Sequence, residues 1–394
     1  MRKTTITLAL ALVLCAVASG SAAAKGGPGH GHGAGTVTPF AAGFNNPRGL
    51  TFGPDGFLYV AEGGLGGSDS TVGQCPQVVP PVGPYTGSTN DPVRGGRISK
   101  VSPAGVVSTV VSALPSSQTG PGLGGLVSGV ADTAFIGHTL YGLLAGAGCS
   151  HGVATVPNGI IRVGSGGTWT LVANLSAFQQ SHPVAHPNPG DFEPDGTWYD
   201  MVALGRALYA VEPNHGEIDR ITPSGAISRV LDVSAVLGHA VPTVLAVNGL
   251  GHANGDHGRG HHSAQEHGRH GHAALYFANL GTFGPGDGTT PNEGVWKLAG
   301  HSLHVRASGL EQVLGLTFLH GSLYALESSS TPGGPTPGSG QIVRIDGHGG
   351  LHTVVSGLVF PTGLTAGPDG ALYVSEQGFG FPAGAGSVVK VTLH

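Results

Sequence analysis

A short phrase occurs near both ends of this chain and restricts its fold more than any other feature. Asn45–Glu62 reads NNPRGLTFGPDGFLYVAE, and Phe360–Glu376 reads FPTGLTAGPDGALYVSE. Each copy predicts two short strands around a tight Gly-Pro-Asp-Gly turn. Pro presets φ, Asp can bond its own backbone, and Gly supplies φ > 0. In the first copy the strands are Gly49–Phe52 and Phe57–Ala61. Weaker copies lie between, and a unit repeated at a fixed period signals a repeat architecture.

Six units follow one another. They run from Phe44 to about Pro115, Leu123–Phe178, Ser181–Ala235, His239–Leu310, Glu311–Leu358, and from Val359 onward. Five carry four strands each. The sixth has three: Gly363–Ala366, Ala371–Glu376 and Ser387–Thr392. A spare strand, Val37–Ala42, precedes the first unit and ends in the Gly-Phe junction that elsewhere follows a fourth strand. Its pairing with the sixth unit would close a ring and leave only short, protected edges. The expectation is therefore all-β: a six-bladed β-propeller of four-stranded antiparallel blades, one domain over residues 36–394.

The 72 Gly and 28 Pro among 394 residues punctuate Val, Leu, Ile and Tyr runs, which is an all-β pattern. Charged residues make up 10% and the net charge is −5, so nothing basic points to nucleic acid. Arg2 and Lys3, the apolar run Leu8–Ala18 and the small residues Ala22-Ala23-Ala24 form a secretory signal, residues 1–24, too short to span a bilayer. Residues 25–35 form a flexible tail. The mature protein is expected outside the cytoplasm, periplasmic or secreted, without a membrane span, and as a monomer. Cys75 and Cys149 remain after cleavage, in long loops of adjacent blades, and are expected to form a disulfide.

In a four-stranded blade, the loop from second to third strand and the connection between blades share one face. Here those loops are long: Gly63–Gly95, Ala145–Asn158, Gly281–Glu293, Ser328–Gly340 and Gln377–Gly386. Long loops on a rigid scaffold are where binding usually resides. The second strands end on Glu62, Glu212, Asn279, Glu327 and Glu376, with Gly146 in the corresponding region of the second unit. Asp200 and Arg48 stand at the start of inner strands. Hard oxygen donors of this kind suit a divalent cation, Ca²⁺ above all. The alternative is that each acid bonds backbone N–H groups of a neighbouring loop. Asn214 and His215 complete the candidate face, His215 as a base or ligand, with His182 and His186 in a Pro-rich loop. No G-x-S-x-G elbow, H-E-x-x-H helix or CxxC pair is present.

Asn248–His272 is rich in Gly and His, including His261, His262 and His267. It is expected to be a disordered insertion in the bottom turn of the fourth unit, with weak affinity for Zn²⁺, Cu²⁺ or Ni²⁺.

The stretch GFNNPRGLTFGPDGFLYVAEGG, then GRISKV, then FPTGLTAGPDGALYVSEQGFGFPAGAGSVVKV resembles the ScyD/ScyE family of secreted bacterial propellers. The resemblance implies the propeller fold and export. It is broader too, extending to NHL-type and gluconolactonase-like propellers, the latter of which hold a divalent cation in the tunnel with Glu, Asn and Asp. Two function classes follow. The first is a propeller binding a small molecule, glycan or protein partner on its long-loop face. The second is a divalent-metal-dependent enzyme, a lactonase-like hydrolase or an oxidase of a secondary metabolite such as a pigment precursor.

Overall fold

The computed structural model describes residues 35–80, 82–119, 126–187, 192–248, 273–280, 293–300, 302–331 and 335–394. The signal, nearly all of the tail, and residues 249–272 with His261, His262 and His267 lie outside them.

The described chain is all-β, with six four-stranded antiparallel sheets. The first is built from Pro47–Phe52, Leu58–Glu62, Gly96–Val101 and Val107–Leu114. The second uses Val130–Ile136, Thr139–Leu144, Gly159–Val163 and Trp169–Asn174. The third uses Asp200–Leu204, Ala207–Glu212, Glu217–Ile221 and Ile227–Asp232. The fourth uses Pro242–Asn248, Ala274–Asn279, Gly294–Ala299 and Ser302–Ser308. The fifth uses Val313–Leu319, Ser322–Glu327, Gly340–Ile345 and Leu351–Leu358. The sixth joins Pro361–Ala366, Leu372–Glu376 and Gly386–Thr392 to Thr36–Phe44, which pairs antiparallel with Gly386–Thr392.

Apolar residues of these strands fill six clusters, five of them shared by two sheets consecutive in sequence. The last is shared by the sixth sheet and the first: Leu58 and Val60 meet Phe44, Tyr373 and Val388. The first strands of the six sheets lie side by side in the same order, with Pro47–Phe52 against Pro361–Ala366.

The repeated turn has the same hydrogen bonds in both copies. Gly53 N donates to Phe57 O at 2.8 Å and Gly56 N to Gly53 O at 3.0 Å, with Gly56 at φ +78°. Asp55 accepts from Phe57 N and from the Tyr59 hydroxyl, the latter at 3.0 Å. Burial first, and then the bond to Asp55, pushes the Tyr59 phenol up to about 12. At the other end Asp369 accepts from Ala371 N and the Tyr373 hydroxyl, at 3.2 and 3.0 Å.

Three features depart from the sequence expectation. The long loop after Leu58–Glu62 has a strand of its own, Thr86–Ser88, which joins Ser116–Gln118 and Val127–Ser128 in a small separate sheet. Two short helices, α1 (Leu175–Ser181) and α2 (Val233–Leu237), follow the fourth strands of the second and third sheets. Asn174 and Asp232 cap them, each accepting a backbone N–H at 2.9 Å. The second strand of the first sheet is displaced by one residue, to Leu58–Glu62, so Glu62 is a strand residue. Cys75 and Cys149 form the expected disulfide. Among the described residues no helix is long and apolar enough to cross a membrane.

Candidate functional site

The acids that end the second strands share one arrangement. Glu62 accepts from Asn45 N at 2.6 Å, Glu327 from Glu311 N at 2.5 Å, Glu376 from Val359 N at 2.7 Å, and Glu212 from Thr197 N at 2.9 Å. Each donor lies in the segment leading into the first strand of the same sheet. Asn279 instead accepts from Gly294 N at 3.0 Å. The four glutamates pin the incoming chain, as a carboxylate does when it satisfies a loop N–H. Burial raises Glu327 and Glu376 above the usual carboxylate range, with the N–H bonds opposing it. Among the described residues no three His, Cys, Asp or Glu side chains are grouped to hold a metal ion.

The third sheet carries a denser cluster. Glu212 and Glu217 are cross-strand partners, and Asp219 follows on the same side, opposite Arg229. All three acids are fully buried. Arg229 Nε donates to Glu217 Oε2 at 2.6 Å. Burial, then repulsion from Asp219, pushes Glu217 up to about 9; burial pushes Asp219 up to about 7 against the pull of Arg229. Among the described residues neither oxygen of Asp219 has a hydrogen-bond partner. Glu212 behaves oppositely: burial opposes its charge, but the His215 ring and two backbone N–H groups outweigh it and lower its pKa. His215 is buried, 3.3 Å from Glu212 and hydrogen-bonded to Gln179, while Asn214 is half-buried beside it. His182 stacks on Phe178 and is exposed, as is His186.

A buried network joins the disulfide loop to the second and third sheets. Ser117 Oγ lies 3.0 Å from His151 Nδ1, and His151 Nε2 lies 3.5 Å from Glu193, which accepts from Tyr85 at 2.7 Å. Ser117 and His151 have no exposed surface, so this array is sealed from a substrate and serves to hold the loops.

The residues that converge on one accessible point come from the first strands. A cavity of about 30 Å³ is lined by Gly49, Asp132, Tyr199, Asp200, Val244, Gly315 and Thr362, so that all six sheets contribute. These residues occupy the leading halves of their strands, nearest the connections between sheets. Asp132 and Asp200 are hydrogen-bonded to each other. Each also accepts a backbone N–H on Oδ2: Met201 N at 2.9 Å for Asp132, Leu245 N at 2.6 Å for Asp200. Burial raises both carboxyls, and the charge of Asp200 raises Asp132 further. Two carboxyls in hydrogen-bond contact cannot both ionise freely. Gly49 makes the arrangement possible, because a Cβ there would meet Asp132 Oδ1 at 1.8 Å.

Above the pair, Tyr199 donates to Thr362 O at 3.1 Å. The Arg48 guanidinium lies 5.8 Å from the Tyr199 ring and 5.3 Å from the Phe379 ring, and donates to Val127 O at 2.5 Å. The structure thus brings Arg48 and Asp200 to one site, and leaves Glu62, Glu212, Asn279, Glu327 and Glu376 in their own loop contacts. Sequence reasoning missed Asp132. Its only signal was a lone acid in the apolar run Val130–Ile136.

Neither a family profile nor a curated protein sequence matches this chain. Solved structures do match. One, an oxidoreductase (glucose dehydrogenase) of Thermus thermophilus, is 16% identical, with TM-score 0.52, covering 91% of this chain and 99% of its own. A protein of unknown function from Bacteroides thetaiotaomicron is 11% identical, with TM-score 0.51, covering 92% and 77%. A gluconolactonase of Xanthomonas campestris is 12% identical, with TM-score 0.45, covering 92% and 98%. The first two likenesses show a shared β-propeller type of fold and nothing about chemistry.

Proposed function

We propose that this chain is an exported six-bladed β-propeller of the ScyD/ScyE type, closed by Thr36–Phe44, that binds a small molecule at the mouth of its axis. The single ring-shaped domain is supported by six sheets, six shared clusters and the cyclic order of the first strands. The observation that carries the binding reading is the convergence of Tyr199, Asp132 and Asp200 on one cavity, with Arg48 facing the Tyr199 ring beside it. Long loops surround that end, and a glycan or protein partner would meet the same face. The protein acts as a monomer, with residues 1–24 removed on export.

The Asp132–Asp200 pair favours a second reading as an enzyme, because a carboxyl beside a carboxylate can give and take a proton at one centre. The metal-dependent form of that reading fits less well. A Ca²⁺ ion prefers six to eight oxygen donors, several of them carboxylates. Here two carboxyls stand together with no third acidic or His ligand among the described residues.

The test is a thermal-shift screen of sugars, lactones, organic acids and amines against the wild type and Asp200→Asn. A compound that stabilises the wild type and loses its effect in Asp200→Asn supports the axial site. Hits indifferent to Asp200→Asn and Arg48→Ala would move binding to the outer loops. Turnover of a hit lactone that Asp132→Asn abolishes would establish the enzyme reading.

A further inference from the structure

Resting on the axial-site reading, we propose that the ligand is a small organic anion, a carboxylate on a flat apolar body, held by Arg48. Three observations lead there. First, Arg48 has no acidic partner among the described residues, whereas Arg97 pairs with Glu62, Arg229 with Glu217 and Lys390 with Asp369. Its carbonyl bond to Val127 and its contact with the Tyr199 hydroxyl leave other donors of the planar fork for a ligand. A neutral ligand would cover this half-buried cation without compensating its charge, and a cationic one would be repelled.

Second, the acids below do not compete for it. Asp132 and Asp200 are bonded to each other and to the N–H groups of Met201 and Leu245. Tyr199 stands between them and the guanidinium, lining the cavity with one part and facing Arg48 with its ring. The fork is therefore held in place by its carbonyl bond and two ring faces, ready for a bidentate carboxylate.

Third, the wall is aromatic. Phe379 lies against Arg48, and Phe360 has its ring centroid 6.4 Å from Phe379 and 5.3 Å from Phe381. An anion bearing an aryl or other flat unsaturated body would lie along these faces while its carboxylate meets the guanidinium.

Benzoate is the probe, with benzamide as its neutral and benzylamine as its cationic counterpart, measured by calorimetric titration of the full mature chain. Benzoate should bind saturably. Arg48→Ala should weaken it by about tenfold or more, the worth of a charge-assisted hydrogen bond. Arg48→Lys should recover only part, because an ammonium cannot fork. Benzamide and benzylamine should bind at least about tenfold more weakly than benzoate. Equal binding of benzamide, or benzoate affinity unchanged in Arg48→Ala, would overturn the ligand class. So would absence of saturable benzoate binding in wild-type protein whose melting temperature is normal. If the screen still finds neutral ligands lost in Asp200→Asn, the axial site survives that failure. If no ligand responds to either substitution, the axial site falls as well.

Discussion

The first and third sheets place a glutamate at the same point, the end of the second strand, and surround it differently. In the first sheet Glu62 receives Asn45 N, Arg97 Nε at 2.7 Å and Ser99 Oγ at 2.6 Å. One buried charge meets one cation and two further donors. In the third sheet the residue opposite Glu212 is Glu217 where the first sheet has Arg97, and Asp219 stands where the first sheet has Ser99. A single arginine, Arg229, arrives from the fourth strand. Three buried carboxyls then share one guanidinium and the neighbouring His215. One architecture thus carries a charge-balanced copy and a copy with more buried carboxyls than cations, where bound protons make up the difference. The lesson is that repeat symmetry fixes where a polar side chain points, while its partners decide whether it is ionised.

The largest effect should come from breaking the balanced copy. Arg97→Met leaves the Glu62 carboxylate buried beside apolar side chains, with Ser99 and Asn45 as its remaining donors. Removing one partner of a buried pair costs about 3 kcal/mol, and partial exposure of Arg97 trims that figure. Denaturant unfolding should show a lower midpoint with an unchanged slope. A loss below about 0.5 kcal/mol, the level of an exposed pair, would mean that Glu62 does not depend on Arg97.

The proton-balanced copy predicts a pH dependence of the opposite kind from ordinary acid denaturation. Glu217 and Asp219 have folded pKa values raised above their unfolded ones, to about 9 and about 7. Between the unfolded and folded values the native state binds more protons, so stability falls as pH rises. The decline should run from about pH 4 to about pH 7 for Asp219 and on to about pH 9 for Glu217. Glu212, held below its ordinary value, works the other way and is lost only in acid. Melting temperature across pH 5–10 checks this in the wild type. The alkaline fall should shrink in the Glu217→Gln, Asp219→Asn double variant, to the part left by Asp132, Asp200, Glu327 and Glu376, and persist in full in Arg97→Met. Asp219→Asn alone should raise stability by about 1–2 kcal/mol at pH 8, because the buried group no longer needs a proton. A destabilised Asp219→Asn protein would show that Asp219 has a partner it needs ionised.

How much of this could be read beforehand follows the range of the interaction. The Gly-Pro-Asp-Gly turns were legible because every atom that makes them lies within seven residues, from Gly53 to Tyr59 and from Gly367 to Tyr373. Strand order was legible because the turns punctuate it. The spare strand Val37–Ala42 was legible because the last unit lacked one, and Thr36–Phe44 does pair with Gly386–Thr392. The two helices have local signals, Asn174 and Asp232 before an apolar turn, but each spans too few residues to show a helical period. The axial pair was only half legible. Asp200 stood out at a strand start, but Asp132 meets it only once the second and third sheets are adjacent. That the strand-end acids tie down the incoming chain was one of two open alternatives, since residue type alone cannot distinguish a metal ligand from an N–H acceptor.

The smallest expected effect is at Glu376, which sharpens the comparison from the other side. It occupies the position of Glu62 and Glu212 in the sixth sheet, yet it is half-buried and accepts its hydrogen bond from Val359 N. A glutamine oxygen can accept that N–H equally well. Glu376→Gln should therefore cost less than about 1 kcal/mol, since only the charge-assisted part of one hydrogen bond is lost. Burial already raises the carboxyl above its ordinary range, so the charge itself adds little. Glu62→Gln should cost more, because it also strips the counter-charge from Arg97. If the two substitutions proved equally damaging, with both chains still folded, Glu376 would have to bind something beyond the Val359 amide, and a cation shared with the neighbouring loop would be the first species to seek by elemental analysis.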